Sequence, residues 1–404
     1  MEWRGIAYIT LWYLSITSGF LALCCPTVPL MFVCPHAFRY IIGIIFSVWE
    51  MYPAILMRLL FDTRFVITGD HINPFDGALL IMNHRNRLDW NFLWGGMYYS
   101  SKPPAHKLKM VLKSAIRHVP FAGWVMQLSG FLYIHRRWDH DQSSMEKQLK
   151  YFRDVKDTHQ ILLFPEGTDL SPNNIIRSNK YAEKNNLTSY KYVLHPKTTG
   201  FVFLADTMRK NNQIKAVYDL TIGYPDLIPQ SEMDALRGVF PKSVHFHIKR
   251  YDETDLPLTS DGLKSWLNNI WRLKEKRLAD FTATSSFSSN PEPTLNYNQP
   301  IDNALYLALI FWTLVQSIVI YGIITSSLFQ YWCLFCSIVF LGFSFTEDEE
   351  QIPADTEQDG VENRVEYDVL WAAKVDSFGS CRPLSIVDQT PSSDAESKTT
   401  KHRP

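Results

Sequence analysis

The stretch that decides the fold is Ala78-Leu-Leu-Ile-Met-Asn-His-Arg-Asn-Arg-Leu-Asp-Trp90. Its first five residues are apolar, which is typical of a buried β-strand, and a helical, aromatic segment follows the polar turn. His84 and Asp89 can meet across this strand-to-helix corner, where the imidazole takes a proton and the carboxylate fixes its tautomer. The plain alternative is a loop histidine and an aspartate in a first helical turn. Because neither residue has its own nucleophile nearby, we expect the nucleophile to belong to the substrate.

Apolar segments lie near both ends of the 404-residue chain. Residues 5–33 are almost uncharged, and two prolines predict a break or kink near Cys25. Residues 40–61 include Glu50 and Arg58, so this block forms either a spanning helix or a re-entrant or interfacial one. The sequence therefore predicts that the N-terminal region is retained as a membrane anchor.

Two further uncharged runs, 304–327 and 328–345, predict either a tight hairpin of spanning helices or one span and an embedded segment. The formal net charge is −1, but the charges are unevenly distributed along the chain, because residues 347–404 hold 14 acidic and 6 basic side chains. The rest of the chain is basic, which suits anionic headgroups and phosphate-bearing substrates. The positive-inside rule then predicts that the central domain is cytosolic.

Composition divides the chain into five segments, and the alternation of strand and helix patterns in the second predicts an α/β fold with a mixed sheet flanked by helices. The segments are an anchor of one or two apolar helices (1–61), a central domain (62–281), a linker (282–300), a transmembrane pair (301–345) and an acidic tail predicted to be disordered (346–404). Strands are expected at 65–68, 78–82, 130–135, 161–164, 216–224 and 244–251, and helices at 89–99, 109–117, 143–155 and 263–281.

Ligands of such folds bind at the carboxyl ends of strands, and three polar segments fall just after predicted strands. The first is the pair of His84 and Asp89. The second is Arg136, whose guanidinium can grip a phosphate bidentately, unless it is a surface residue paired with an acid. The third is Glu166-Gly-Thr168, which by itself could be an ordinary β-turn. Their common position at strand ends predicts one site.

Other polar residues permit weaker predictions. Arg85 and Arg87 beside the central pair either favour an anionic headgroup or have a structural role. A predicted basic belt contacts CoA phosphates or an anionic bilayer, or is simply solvated; it comprises Lys102, His106, Lys107, Lys109, Lys113, Arg117 and His118. His245 and His247 share one strand face, but no Cys or carboxylate stands at ligand spacing, so we predict no metal site.

Together, the segments resemble the glycerolipid acyltransferases, also called the lysophosphatidic acid acyltransferase superfamily. The blocks of that family are Asn-His-x4-Asp, Gly-x-x-Phe-x-x-Arg, Glu-Gly-Thr-Arg and a later Pro-containing block. This sequence has, in the same order, Asn83 to Asp89, Gly130 to Arg136 with Tyr133 at the aromatic position, Glu166-Gly-Thr168, and Leu194-His-Pro196.

One position departs from the family pattern, because Asp169 stands where many members have Arg. This argues against plain lysophosphatidic acid as the acceptor. The wider segments, such as His84-Arg-x-Arg-x-Asp-Trp90 and Val193-Leu-His-Pro-x-Thr-Thr-Gly-Phe201, resemble the lysocardiolipin acyltransferase branch. Members of that branch also act on lysophosphatidylinositol and lysophosphatidylglycerol.

The resemblance implies that a fatty acyl group passes from acyl-CoA, as co-substrate, to a lysophospholipid hydroxyl in phospholipid remodelling, without a bound cofactor. His84 would be the general base and Asp89 would orient it. The resemblance implies substrate binding by Gly130, Arg136, Glu166, Gly167, Thr168 and Pro196, with Arg85, Arg87 and Lys113 as further headgroup or CoA contacts. It also implies a multi-pass protein of the endoplasmic reticulum membrane, whose partners are its two substrates and the bilayer but no nucleic acid.

Two alternatives stay open. One is a 1-acylglycerol-3-phosphate acyltransferase of de novo phosphatidic acid synthesis. The other is an inactive membrane scaffold that binds lipid through the basic belt.

Overall fold

The computed structural model describes residues 2–101, 107–287 and 301–349. Its described part contains seven strands: β1 (Arg64–Gly69), β2 (Ala78–Met82), β3 (Leu108–Lys113), β4 (Leu132–Ile134), β5 (Gln160–Leu163), β6 (Ala216–Gly223) and β7 (Ser243–Asp252). They form one sheet in the order β1-β7-β6-β2-β5-β3-β4. The β6–β7 pair is antiparallel and the other pairs are parallel, so the predicted mixed sheet is confirmed.

Helices cover both faces of this sheet and extend beyond it at both ends of the chain. The α-helices are α1 (Trp3–Gly19), α2 (Cys25–Val33), α3 (Pro35–Phe61), α4 (Asp89–Ser100), α5 (Ala122–Leu128), α6 (Trp138–Asp154), α7 (Pro172–Lys184), α8 (Thr198–Lys210), α9 (Glu232–Leu236), α10 (Ser260–Thr284), α11 (Asn303–Thr325) and α12 (Ser327–Glu349).

Strand β2 lies between two hydrophobic cores, which explains why its sequence is wholly apolar. Leu80 and Met82 join the core formed with α3 and α4, whereas Leu79 and Ile81 join the core formed with α6, α8 and α10. All four side chains are fully buried. Each contributes about 1.5–3 kcal/mol of hydrophobic stabilisation, so β2 fixes the centre of the sheet and the turn that follows it.

The predicted helix over 109–117 is wrong. That segment forms β3 between β5 and β4, and a short 3-10 helix follows it at Ser114–His118. The interspersed lysines resemble the polar face of a helix, but the alternation of Leu108 and Met110 with Lys109 has the period of a strand. Lys109 is only 5% exposed and therefore does not belong to a surface belt. Lys102 and His106 lie outside the described residues.

The sequence patterns did not predict α7 and α8, although both carry segments of the resemblance. Helix α7 starts with Ser171 as N-cap, whose hydroxyl accepts a hydrogen bond from the Asn174 N–H at 3.4 Å, and with Pro172 in the first turn. This Ser-Pro pair is a helix start signal that could have revealed α7.

In the described part of the chain, four helical segments are long and apolar enough to cross a membrane: Trp3–Val33, Pro35–Phe61, Asn303–Thr325 and Ser327–Ser344. The first two are more deeply buried against the rest of the protein than the last two. Arg39 of α3, for example, donates to the Leu128 carbonyl at 2.9 Å and to the Tyr151 hydroxyl at 3.2 Å. The N-terminal helices are thus docked on the central domain. Residues 282–284 of the predicted linker 282–300 belong to α10, and residues 346–349 of the predicted tail 346–404 belong to α12. Residues 288–300 and 350–404 lie outside the described residues.

The sequence predicts a break or kink near Cys25. The chain stays helical from Trp3 to Val33, so it does not break there, but the α-helix is interrupted directly before Cys25. A π-helical turn at Phe20–Cys24 joins α1 to α2. Pro26 lies at the start of α2, where the wider π turn accommodates its missing N–H.

Candidate active site

Asn83 connects the ends of two neighbouring strands immediately before the site. Its carboxamide oxygen accepts the Ile222 N–H at 2.9 Å, and its nitrogen donates to the Ile222 carbonyl at 3.2 Å. The side chain thus continues the ladder between β2 and β6 by one more pair of hydrogen bonds. Asn83 is buried, so this connection is protected from water and fixes where the turn begins.

The structure brings His84 and Asp89 into direct contact. The His84 Nδ1 lies 2.9 Å from Oδ2 of Asp89, and the Asn86 N–H donates to the same oxygen at 2.9 Å. Because an ionised carboxylate only accepts, Nδ1 carries the proton and Nε2 of the neutral ring is the basic nitrogen. Asp89 is fully buried as the first residue of α4, whose N-terminal dipole favours its charge. The His84 side chain keeps 20% of its surface exposed, so Nε2 can meet a substrate.

Two opposing effects set the basicity of His84. Burial lowers the pKa of the imidazole, but the hydrogen bond and charge of Asp89, together with the charges of Glu166 and Asp169, raise it more. The resulting pKa lies above the ordinary value of 6.5. A base in this range is suited to proton removal near neutral pH.

Tyr224, which immediately follows β6, contacts the same carboxylate from the other side. Its hydroxyl donates to Oδ1 of Asp89 at 2.6 Å, in a buried environment. Sequence reasoning did not select this residue, because it stands 135 positions from Asp89. The sequence feature that could have identified Tyr224 is its hydroxyl group at the end of the predicted strand 216–224, at the edge of the sheet where ligands bind.

Glu166 lies below the His84 turn and is 3% exposed. Its Oε1 accepts the His84 N–H at 3.3 Å and the Trp271 Nε1–H at 3.2 Å, while Oε2 accepts the Leu194 N–H at 3.1 Å. Burial raises the pKa of Glu166 to about 8, although these N–H donors favour its carboxylate form. The expected contact with substrate does not fit these surroundings. Glu166 instead joins the His84 turn, the segment at Leu194 and helix α10.

Arg136 and Lys197 converge on the exposed Gly167 turn. Arg136 donates from Nη2 to the Gly167 carbonyl at 3.1 Å, and its own φ of 65° is left-handed, which is unfavourable for a side-chain-bearing residue. The Nζ of Lys197 lies 3.3 Å from where a Cβ on Gly167 would be. Gly167 has a φ of +70° and no side chain, so the turn is open to a ligand between the two cations. Sequence reasoning missed Lys197.

The remaining residues of the resemblance have different surroundings. Thr168 is half-buried, and its hydroxyl donates to Oδ1 of Asp169 at 3.2 Å. Pro196 is half-buried directly before Lys197, whose N–H donates to the Pro165 carbonyl at 2.7 Å. These contacts hold the 196–197 segment against the Gly167 turn.

Gly130 does not face the site, contrary to its predicted role in substrate binding. It is buried with a φ of +80°, and an added Cβ would lie 2.8 Å from Nη1 of Arg39 and 3.1 Å from Phe152. The glycine is required because α3 approaches the backbone here.

The three further cations expected to meet a headgroup or CoA are accessible. Arg85 is half-buried and Arg87 is exposed on the His84 turn. Lys113 is exposed at the end of β3, opposite Ile134 of β4 and therefore near Arg136.

Two groups of residues contain side chains of the types that bind metal ions. His245 and His247 bond within the sheet, to the hydroxyls of Ser243 at 3.2 Å and Thr68 at 3.1 Å, and burial lowers the pKa of each imidazole to about 4. His135, His140 and Asp141 place ligand atoms within 4.8 Å of one another. The Asp141 carboxylate also accepts the His135 N–H at 2.7 Å and so ties the end of β4 to the first turn of α6.

An apolar cavity lies on the α3–α4 side of the sheet. Its lining includes Ile16, Phe20, Phe46, Trp49, Trp94 and Phe131, and most of its other residues are also apolar. Trp94 follows Asp89 by five residues on α4, which corresponds to about 7.5 Å along the helix. Helix α4 therefore contributes both Asp89 and one residue of the cavity lining.

Residues 64–224 match the family model Acyltransferase, and residues 234–312 match the model Acyltransferase C-terminus. Lysocardiolipin acyltransferase 1 of Gallus gallus is 41% identical over 281 residues, which cover 70% of this chain and 74% of that protein. The chain belongs to the glycerolipid acyltransferase superfamily.

Other members of the superfamily are also similar. Lysophosphatidylinositol acyltransferase 10 of Caenorhabditis elegans is 35% identical over 294 residues, covering 69% of this chain and 73% of that protein. Probable 1-acyl-sn-glycerol-3-phosphate acyltransferase 5 of Arabidopsis thaliana is 33% identical over 268 residues, covering 66% and 70%. A solved structure of the 1-acyl-sn-glycerophosphate (LPA) acyltransferase from Thermotoga maritima aligns with a TM-score of 0.43 at 16% identity, covering 69% of this chain and 98% of that one.

The resemblance to the lysocardiolipin and lysophosphatidylinositol acyltransferase branch is therefore confirmed. All four sequence blocks fall within the matched range 64–224. This glycerolipid acyltransferase is an enzyme of the lysophospholipid acyltransferase class.

Proposed function

We propose that the protein transfers a fatty acyl chain from acyl-CoA to a free hydroxyl of a lysophospholipid during phospholipid remodelling. The observation that carries this proposal is the 2.9 Å contact between His84 Nδ1 and Asp89, which leaves Nε2 as a base. Within residues 2–101, 107–287 and 301–349, the imidazole of His84 hydrogen-bonds to Asp89 and to no serine, threonine or cysteine. The substrate hydroxyl is then the nucleophile.

The reaction requires one proton transfer in each direction. Nε2 of His84 removes the hydroxyl proton while the oxygen attacks the thioester carbonyl, and Asp89 stabilises the imidazolium that forms. The attack forms the new C–O bond and a tetrahedral intermediate, whose collapse restores the carbonyl and breaks the C–S bond. The imidazolium returns the proton to the departing CoA sulfur. General-base catalysis of this kind contributes about 10²–10⁴-fold in rate.

The acceptor phosphate is proposed to bind at the Gly167 turn between Arg136 and Lys197. Arg136 offers a planar fork of donors, and Lys197 adds a second positive charge. Lys197 approaches this turn although Asp169 occupies the position of the usual family arginine. Arg85, on the His84 turn, is placed to meet further charge of an anionic headgroup. These features and the names of the relatives support lysophosphatidylinositol, lysocardiolipin or lysophosphatidylglycerol as the acceptor.

The apolar cavity is proposed to take the acyl chain of the donor. Its lining is almost free of polar groups, as a hydrocarbon chain requires. Because Trp94 of the cavity lining and Asp89 belong to the same helix, we propose that the chain extends from His84 along α4 toward Trp94 and Phe131. We further propose that the CoA portion is held by exposed cations such as Lys113.

Microsomes that contain the full-length protein or its His84→Ala variant provide the test. Each is given acyl-CoA and one lysolipid at a time: lysophosphatidylinositol, lysocardiolipin, lysophosphatidylglycerol or lysophosphatidic acid. We expect CoA release and product with at least one of the first three, reduced by at least about 10²-fold in the variant. Near-normal turnover of the variant would refute the base assignment.

The acceptor panel also separates the second candidate. The 33% identity to a relative named as a probable 1-acyl-sn-glycerol-3-phosphate acyltransferase favours lysophosphatidic acid, whereas the negative charge of Asp169 opposes it. Exclusive use of lysophosphatidic acid would establish that alternative. Absence of CoA release with every acceptor would instead favour the lipid-binding scaffold.

We also propose that the enzyme resides in the endoplasmic reticulum membrane with its catalytic domain in the cytosol. The exposed apolar surfaces of α11 and α12 and the basic charge of the central domain support this placement. Protease digestion of sealed microsomes should cleave the catalytic domain without detergent. Protection of that domain would contradict the orientation.

A further inference from the structure

The strongest contact to Asp89 beyond its own turn comes from Tyr224. The tyrosine hydroxyl donates to Oδ1 at 2.6 Å, while the other oxygen of the carboxylate accepts from His84 Nδ1 at 2.9 Å. The three side chains therefore form a continuous chain of hydrogen bonds from a phenol through a carboxylate to the catalytic imidazole. The far end of this chain is the basic nitrogen Nε2.

Tyr224 can act only as a hydrogen-bond donor toward this carboxylate. Burial, followed by the charge of Asp89, raises the pKa of the phenol well above its ordinary value, so the hydroxyl keeps its proton. The ring packs edge-on against Phe92 of α4, with ring centroids 5.7 Å apart. This contact fixes the direction from which the hydroxyl reaches Asp89.

The fold places Tyr224 with little freedom. Strands β2 and β6 run parallel in the centre of the sheet, with Met82 opposite Leu220. Beyond that pair, Asn83 continues the register to Ile222 through two side-chain hydrogen bonds. Tyr224 follows two residues later, so the ends of both strands jointly determine the distance between its hydroxyl and Asp89.

We propose that Tyr224 is a positioning residue that sets the basicity and orientation of His84 through Asp89. A donor on Oδ1 withdraws charge from the carboxylate and thereby weakens its attraction for the imidazolium. Wild-type His84 consequently releases its proton at a lower pH than it would beside an Asp89 that lacks this donor. The same hydrogen bond holds the carboxylate plane toward Nδ1. This inference rests on the proposed role of His84 as general base.

The decisive measurement is the pH dependence of kcat/KM for full-length Tyr224→Phe in microsomes. Loss of the donor should raise the pKa of His84, so the acidic limb should move to higher pH by about one unit. Below that limb, kcat/KM should fall by up to about tenfold relative to wild type, which is the rate equivalent of one pKa unit. The other charged groups that face the pair, Glu166, Asp169 and Arg85, are unchanged in the variant.

Tyr218→Phe is a matched control on β6, the strand that precedes Tyr224. Tyr218 is also fully buried and donates to a carboxylate, that of Asp76, at 2.8 Å. Its hydroxyl further accepts from the Asn73 N–H and from Arg250, so its loss should disturb the fold at least as much. A general loss of packing or stability would therefore appear in both variants. Only Tyr224→Phe should move the acidic limb.

If Tyr224→Phe accumulates poorly, a second and milder substitution at the same position tests the proposal. Site-specific replacement of Tyr224 by 3-fluorotyrosine retains the ring and makes the hydroxyl a stronger donor. The acidic limb should then move to lower pH, opposite to the shift in Tyr224→Phe. An unchanged limb in either perturbation, with His84→Ala inactive, would overturn the role of Tyr224 alone. Activity of His84→Ala would instead overturn the general-base proposal itself.

Discussion

Replacement of Glu166 by glutamine tests whether this residue organises the site or binds the acceptor. Glutamine has the same shape as glutamate but only one acceptor oxygen. In the structure, Oε1 serves the N–H groups of His84 and Trp271, and Oε2 serves that of Leu194. If the amide oxygen keeps the first two donors, its NH2 group faces the Leu194 N–H. The opposite orientation leaves two donors without an acceptor and is less favourable.

The expected loss of stability in Glu166→Gln follows from one buried donor, the Leu194 N–H, which loses its acceptor. Above about pH 8, where Glu166 is a carboxylate, such a loss costs about 1–3 kcal/mol, and the free energy of unfolding should fall by this amount. The Leu194 segment is then displaced relative to the His84 turn. Because each 1.36 kcal/mol in the transition state is tenfold in rate, kcat should fall by up to about 100-fold. KM for the lysolipid should stay nearly constant, since Glu166 is buried beneath the turn.

Glu275→Gln provides a control for the same chemical change. Glu275 of α10 also accepts three N–H groups, all of them from the backbone, of Lys191, Tyr192 and Val193, but has no hydrogen bond to His84. It should lower stability while kcat stays within a few-fold of wild type. Steady-state kinetics and thermal unfolding of the detergent-solubilised proteins would measure both effects. A Glu166→Gln enzyme with normal kcat and a strongly raised KM would refute the organising role.

The same variant should also change how stability depends on pH. Burial raises the pKa of Glu166 to about 8, so the folded protein binds this proton more tightly than the unfolded chain does. The contribution of this proton is fully present below the ordinary pKa of glutamate, near 4.3, and is lost as pH rises toward 8. Glu166→Gln should therefore unfold with a flatter pH dependence across this window. An equally steep dependence in the variant would contradict the assignment.

Two further predictions concern the substrates. Lys197→Ala should raise KM for an anionic lysolipid by about two- to fivefold, which is the size expected of one exposed ionic contact. Lys264→Ala, on the distant start of α10, should leave KM unchanged. A Lys197→Ala enzyme with the wild-type KM would exclude Lys197 from the acceptor site. Ala122→Phe should fill part of the apolar cavity and shift the enzyme toward shorter acyl-CoA chains, with the ratio of rates for short and long donors as the measurement. An unchanged ratio would show that the acyl chain lies elsewhere.

The sequence predicted the strands that are apolar throughout and the helices with a clear period. It also predicted that His84 and Asp89 meet, because five residues across one turn leave little choice. The prediction of a helix at β3 was wrong, because Lys109 resembles a residue on the polar face of a helix although its side chain is buried. It could not predict that Tyr224 reaches Asp89, because this contact depends on β6 lying beside β2. Strand order arises from the packing of the whole sheet, and no local pattern encodes it.

Some residues of the four family blocks are proposed to take part in the reaction, whereas others hold the fold together, and their spacing in the sequence does not distinguish the two roles. Asn83 pairs two strand ends, Gly130 admits α3 and Glu166 binds the backbone of the His84 turn. A general base needs its partner held to a fraction of an ångström, and buried hydrogen bonds supply that rigidity better than contacts with a mobile substrate. The residues proposed to touch the lysolipid lie at the exposed Gly167 turn, whereas the residues beneath His84 are buried and hydrogen-bonded to its turn. Acceptor preference should accordingly be altered at the exposed Gly167 turn, and rate at the buried residues that hold His84.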